Sequence, residues 1–207
     1  MRLYFLRHGE SEANILHLIS NRDLPHHLTE KGRLQAATLA NKLHERSIAR
    51  IFSSPIPRAV ETAHILSVIL RAPMECVDAL CEPDCGVLEG RGDAKAWSQH
   101  TYWMKKWLSG QERNIGPQGG ETFEEVRKRF GDFIESLVIR FGATESEFLL
   151  ITHGALLLIG LPGILAGVDH QFLLDHTPGY TALITTEYKK GILACVEWEP
   201  EKILVGN

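Results

Sequence analysis

The stretch Leu3-Tyr4-Phe5-Leu6-Arg7-His8-Gly9-Glu10-Ser11 decides the fold. Its apolar run has no polar alternation, so it reads as a short strand buried on both faces, as in parallel sheets covered by helices. Arg7 ends the run after four residues, too few for the core of a signal peptide. The histidine that follows stands where strand gives way to helix, and Gly9 lets the backbone approach a ligand closely. Ile151-Thr152-His153-Gly154 repeats the arrangement late in the chain. In open α/β sheets ligands collect beyond the carboxyl ends of strands, where helix N-termini offer N–H groups to an anion. Two strand-end His-Gly pairs, one preceded by arginine, point to an anion site.

Working outward, the spacing predicts alternating strands and helices. Thr29 caps a helix running to about Glu45, with Ala36, Leu39, Ala40 and Leu43 at helical spacing. Arg50–Ser53 reads as a second strand, Pro57 opens a helix to about Leu70, and Met74–Val77 is a third strand. Thr122 and Glu125 form a capping box for a long helix striped with Phe123, Val126, Phe130, Phe133, Leu137 and Phe141. Phe148–Ile151 is another strand, and Tyr180–Thr186 and Leu193–Trp198 form two more around Lys189-Lys190-Gly191. This order predicts a three-layer α/β/α sandwich whose mostly parallel central sheet is made mixed by the terminal hairpin. The stretch from about Pro83 to Gly120, holding Trp97, Trp103 and Trp107, breaks the rhythm. It is read as a cap-like insertion on a single domain covering residues 1–207.

Composition narrows the function. With 22 Lys plus Arg against 26 Asp plus Glu, the 207-residue chain carries a net charge of −4. That balance excludes binding of nucleic acid or an acidic membrane through bulk charge, so an anionic ligand requires a local cationic cluster. The 44% hydrophobic content excludes disorder. Phe148–Val168 carries no formal charge apart from a proton on His153, and is nearly long enough to span a membrane. Thr152-His153-Gly154 and Pro162-Gly163 interrupt it, so a strand followed by a helix is expected. Cys76, Cys81, Cys85 and Cys195 form no CxxC pair; reduced thiols, no metal site and a cytoplasmic location are the expectation.

Arg7-His8-Gly9-Glu10-Ser11, followed by Asn14, resembles the signature of the histidine phosphatase superfamily, also called the phosphoglycerate mutase-like family. The resemblance continues through Leu28-Thr29-Glu30-Lys31-Gly32, Ser53-Ser54-Pro55 with Arg58-Ala59 and Glu61-Thr62-Ala63, and Leu80-Cys81-Glu82 with Gly86 and Leu88-Glu89-Gly90. Gly119-Gly120-Glu121-Thr122 and Thr152-His153-Gly154 complete it, in order, from about Leu3 to Ala155. It implies a phosphoglycerate mutase-like fold and a metal-independent enzyme without cofactor. It assigns His8 as nucleophile, Arg7, Arg58 and His153 to the phosphoryl oxygens, and Glu82 as general acid and base. The chemistry suits these residues: neutral imidazole attacks phosphorus, and the arginine fork donates two hydrogen bonds while staying charged. Gly9 and Asn14 would add neutral donors, with Ser11, Thr152, Gly154, Asn21 and Arg91 as further substrate-binding candidates. Asp84 is a minor alternative to Glu82.

Other residues have plainer readings. Glu10, Glu61, Glu89 and Glu121 suit arginine-orienting or capping roles, His26-His27 a polar loop, and His100, His170 and His176 lack ligand-like spacing. Arg91, Lys95, Tyr102, Lys105, Lys106 and Arg113 form either a substrate mouth or a solvated face over Trp103, Met104, Trp107 and Leu108.

Within the family, a mutase returns the phosphate to another hydroxyl and a phosphatase gives it to water. Three departures favour water: Asn21-Arg22-Asp23-Leu24-Pro25 lacks the Thr-Gly-Trp expected of mutases, Pro83 replaces an arginine after Glu82, and residues 90–120 lack their basic array. The expected activity is a phosphomonoester hydrolase, with mutase and phosphoprotein or phosphohistidine phosphatase as alternatives. Retention of Arg7, His8, Arg58, Glu82 and His153 disfavours a binding module without catalysis. The expected partner is a small phosphorylated metabolite, not nucleic acid or membrane, and a homodimer stays open. The loop Asp175-His176-Thr177-Pro178-Gly179-Tyr180 departs from the Asn- and Ser-containing pattern of the family.

Overall fold

Strand β1 (Arg2–Arg7) is buried on both faces, and its side chains divide the core. Leu3 and Phe5 point to one side and Tyr4 and Leu6 to the other, as the two-residue period of a strand requires. The computed structural model describes residues 1–22 and 24–199; Asp23, from the stretch compared with mutases, and residues 200–207 lie outside it. The remaining strands are β2 (Ile48–Ser53), β3 (Met74–Cys76), β4 (Glu147–Thr152), β5 (Leu183–Lys189) and β6 (Ile192–Trp198). They form one sheet in the order β3-β2-β4-β1-β5-β6. β1, β2, β3 and β4 run parallel, whereas β5 is antiparallel to β1 and to β6, giving the expected mixed sheet.

The helices are α1 (Glu12–Ile15), α2 (Glu30–Lys42), α3 (Pro57–Leu70), α4 (Ala94–Leu108), α5 (Phe123–Phe141), α6 (Gly154–Ile164) and α7 (His170–Asp175). Leu39, Ala40, Ala59, Ala63 and Leu66 of α2 and α3 pack on the Tyr4/Leu6 face. Phe123, Val126, Phe130, Ile134 and Leu137 of α5, with Leu156, Leu157, Ile159 and Leu161 of α6, cover the Leu3/Phe5 face. The three layers follow from these two sets.

Two local readings are refined. Pro162-Gly163, read as interrupting the uncharged span, lies within α6, which continues to Ile164. Proline lacks the N–H that would bond the Leu158 carbonyl one turn back; His170 Nδ1 donates to that carbonyl instead, at 3.2 Å. The terminal hairpin begins at Leu183 rather than Tyr180 and turns through Lys190 and Gly191, whose φ values of 50° and 84° suit a tight hairpin turn. Tyr180 is thereby left in a loop beside the carboxyl end of β1. Phe148–Val168 divides into β4 and α6, and no helix among the described residues is long and apolar enough to cross a membrane.

Candidate active site

The parallel register of β1 with β4 pairs Arg7 with Thr152, so the next residues, His8 and His153, leave the sheet together. Their rings lie edge to face with centroids 5.0 Å apart. The neighbouring strand β2 delivers Ser54, and α3, opening at Pro57, delivers Arg58. Glycines allow close approach here: a Cβ on Gly32 of α2 would lie 2.0 Å from the Glu10 carbonyl oxygen, so α2 packs directly on the backbone after His8.

Hydrogen bonds set both imidazole tautomers. His8 is 2% exposed and its Nδ1 lies 2.6 Å from the Gly9 carbonyl oxygen. A carbonyl only accepts, so Nδ1 carries the proton and Nε2 bears the lone pair. Arg58 Nε donates to that Nε2 at 2.9 Å. His153, fully buried, receives Arg58 Nη2 on Nδ1 at 3.1 Å and therefore donates from Nε2 to Ser54 Oγ at 2.8 Å. Burial, then the Arg58 and Arg7 charges, hold the His8 pKa well below the usual imidazole range. Burial and Arg58 do the same for His153, aided by His8 and Arg7. Both rings are neutral at pH 7. Burial also lowers the Arg58 pKa, while Glu82 opposes the shift and Arg7 adds to it.

Two guanidinium nitrogens, Arg7 Nε and Arg58 Nη1, are buried without a partner among the described residues. An unsatisfied buried donor costs about 1–3 kcal/mol, more when charged. An anion accepting from both would remove that cost. Arg7 is held by a 3.4 Å bond to the Pro178 carbonyl, and its guanidinium carbon lies 4.4 Å from the centroid of the Tyr180 ring. The loop whose sequence departs from the family pattern thus supports this arginine.

Glu82 sits at the amino end of α6, its two oxygens accepting from the backbone N–H groups of Ala155 and Leu156, each at 3.0 Å. The helix end favours a negative group there. Arg129, which the sequence reading passed over, clamps the segment bearing Glu82. It donates to the carbonyls of Ala79 and Cys81 at 2.9 Å and pairs with Glu121 at 2.7 Å. An arginine on the polar side of a long amphipathic helix carries no sequence signal for this. Asp84 lies elsewhere, paired with Arg22 at 2.7 Å and accepting from Gly86 N–H.

Arg7, Glu82 and Gly154 line a cleft of about 690 Å³ between α4 on one side and α6 and α7 on the other. The remaining candidates have other partners. Ser11 is buried and bonds Asn14 Oδ1 at 2.8 Å, and Gly9 N–H donates to Thr62 Oγ1 at 3.2 Å. Thr152 Oγ1 donates to the Leu80 carbonyl at 2.7 Å, tying β4 to the Glu82 segment. Asn21 bonds the Pro83 carbonyl and Cys85, and Arg91 makes a two-pronged pair with Asp93. None of these four side chains (Ser11, Thr152, Asn21 and Arg91) lines the cleft. Glu10 pairs with Lys31, Glu61 with Arg33 and Glu121 with Arg129, while Glu89 accepts from the Asn21 and Cys85 backbones.

A family model described as histidine phosphatase superfamily (branch 1) matches residues 3–200. A Photorhabdus laumondii protein named as a probable phosphoglycerate mutase is 32% identical over 169 residues, 78% of this chain and 76% of that protein. Among solved structures, a mycobacterial glucosyl-3-phosphoglycerate phosphatase superposes with a TM-score of 0.79 at 23% identity, covering 97% of this chain and 99% of that one. An α-ribazole phosphatase from Shigella flexneri gives 0.79 at 24% identity, covering 100% of both. The geometry and the near-complete family match lead to one assignment: this chain belongs to the histidine phosphatase superfamily, branch 1.

Proposed function

We propose that the protein is a phosphomonoester hydrolase that works through a phosphohistidine on His8, with Glu82 as general acid and base. The observation that carries this reading is the His8 tautomer: Gly9 accepts from Nδ1, leaving the Nε2 lone pair beside the Arg58 guanidinium, with the Arg7 charge also acting on the ring. In the first step Arg58 gives up its bond to Nε2 and turns to the phosphoryl oxygens. Nε2 attacks phosphorus, the bond from phosphorus to the alcohol oxygen breaks, and Glu82 hands that oxygen a proton. The ring gains positive charge, and the Gly9 carbonyl facing Nδ1–H stabilises it. In the second step Glu82 accepts a proton from water, whose oxygen attacks phosphorus, and the P–N bond returns its electron pair to Nε2. Arg7, Arg58 and His153 surround the charge as it moves.

A cleft of about 690 Å³ suits a small phosphorylated metabolite better than a protein surface. The names of the mycobacterial and Shigella neighbours are consistent with that class. The mutase reading retains support from the Photorhabdus relative. The sequence departures after Asn21 and Glu82 weigh against it.

Labelled substrate quenched in alkali is expected to leave phosphate on wild-type protein and none on His8→Ala. Equal labelling of both would overturn the mechanism. Conversion of 3-phosphoglycerate to 2-phosphoglycerate with little free phosphate would establish the mutase instead.

A further inference from the structure

The cleft continues past Glu82 between α4 and α7, and its walls are chemically uneven. Met104 and Leu108 of α4 face Leu158 of α6 and Leu174 of α7 across it. The polar residues among them are mostly committed. His170 donates from Nδ1 to the Leu158 carbonyl, and its Nε2 accepts from Arg113 at 3.2 Å, so it offers the cleft only its ring carbons. Ser109 donates to the Lys106 carbonyl at 3.0 Å, Thr177 to the Leu173 carbonyl at 3.1 Å, and Gln171 to Asp175 at 3.1 Å. Lys105 is the one lysine in the lining; it is exposed, where hydration weakens its hold on an anion. His100 lies against the Trp97 edge with no hydrogen-bond partner among the described residues.

We propose that this part of the cleft is the subsite for the leaving alcohol, and that it selects an uncharged, largely apolar alcohol with His100 supplying a hydrogen bond to one polar group on it. The inference rests on the hydrolase reading above. A glycerate or a second phosphate would bring a second charge into a lining whose one cation besides Arg7, which faces the phosphoryl end, is the exposed Lys105, and losing its water there would go uncompensated. An alkyl or aromatic body would bury apolar surface against Met104, Leu108 and Leu158. Burial lowers the His100 pKa against the pull of Glu82, keeping the ring neutral, able to donate at one nitrogen and accept at the other.

Ethyl and hexyl phosphate separate this subsite from the chemistry, because their leaving oxygens have nearly the same reactivity. Each fully buried methylene is worth about fourfold in kcat/KM, so hexyl phosphate is expected to exceed ethyl phosphate at least about tenfold. 3-Phosphoglycerate is expected to fall below hexyl phosphate. Leu174 is 50% exposed, so Leu174→Asp preserves the fold while placing a charge in the subsite; it is expected to reduce the hexyl-to-ethyl ratio at least about fivefold. Phosphate release from both esters with a ratio near one, or a ratio unmoved in Leu174→Asp, overturns the subsite and leaves the hydrolase reading standing. No release from any ester, together with no label on His8, overturns both.

Discussion

Lowering the pH from 7.5 to 5.5 is expected to remove up to roughly 3 kcal/mol of stability through His8 and His153. Both rings are buried beside Arg58 and are held neutral, with pKa values well below 6.5, their ordinary value. In the unfolded chain they take up protons as the pH falls below 6.5. The folded state does not, so the unfolded state binds more protons and stability falls with the pH. The stabilisation is fully present above pH 6.5 and is lost as the pH falls toward the folded pKa values. The upper limit for each ring, reached when its folded pKa lies below the whole window, is roughly 1 to 1.5 kcal/mol. Burial of His100 and His170 adds in the same direction, and burial of Glu89, which raises its pKa, opposes it. Urea titrations across the window are expected to show the midpoint falling by roughly 1 M in total. His8→Asn and His153→Asn each remove one titrating ring while keeping a side-chain amide near the Nδ1 position. Each is expected to make the slope between pH 6.5 and 5.5 shallower than that of wild type. A variant slope equal to that of wild type, or a flat wild-type profile, would refute the assignment of two buried neutral imidazoles.

Three further outcomes follow from the site. Arg129→Met frees the carbonyls of Ala79 and Cys81 and lets Glu82 drift; kcat is expected to fall by about tenfold to a hundredfold with a smaller change in KM. Steady-state kinetics check this, and a loss confined to KM would contradict it. Gly32→Ala forces a methyl group against the Glu10 carbonyl and is expected to destabilise the protein by about 1–3 kcal/mol and lower kcat by displacing the loop after His8; unchanged denaturation and kinetics would contradict the tight crossing. Because Arg7 and Arg58 supply the cationic charge, activity is expected to survive dialysis against EDTA. Loss of activity restored by a divalent ion would count against that role.

Local chemistry made much of this protein legible in one dimension. The Leu3–Leu6 run, the Thr122/Glu125 capping box and the Pro57 helix start act within a few residues, so their elements appear where the spacing places them. Pro162 misleads for a tertiary reason: its missing N–H is compensated by His170, which lies beyond the end of the helix. Similarly, Thr152 and Arg91 look available in sequence, yet the Leu80 carbonyl and Asp93 occupy them.

The amino-acid sequence by itself determined where two histidines leave the sheet, because a strand end followed by His-Gly places an imidazole beyond the carboxyl edge of such a sheet. Only the tertiary structure decided what state those residues are in. The His153 tautomer depends on Arg58, which enters from a different element, and two α6 amides hold Glu82, not Asp84, at the amino end of that helix. The character of the cleft between α4 and α7 depends on which polar side chains fold back onto nearby carbonyls. Hydrogen-bond partners and desolvation are properties of three-dimensional neighbours, and those neighbours lie far apart in the chain, 99 residues between Ser54 and His153 and 171 between Arg7 and Pro178.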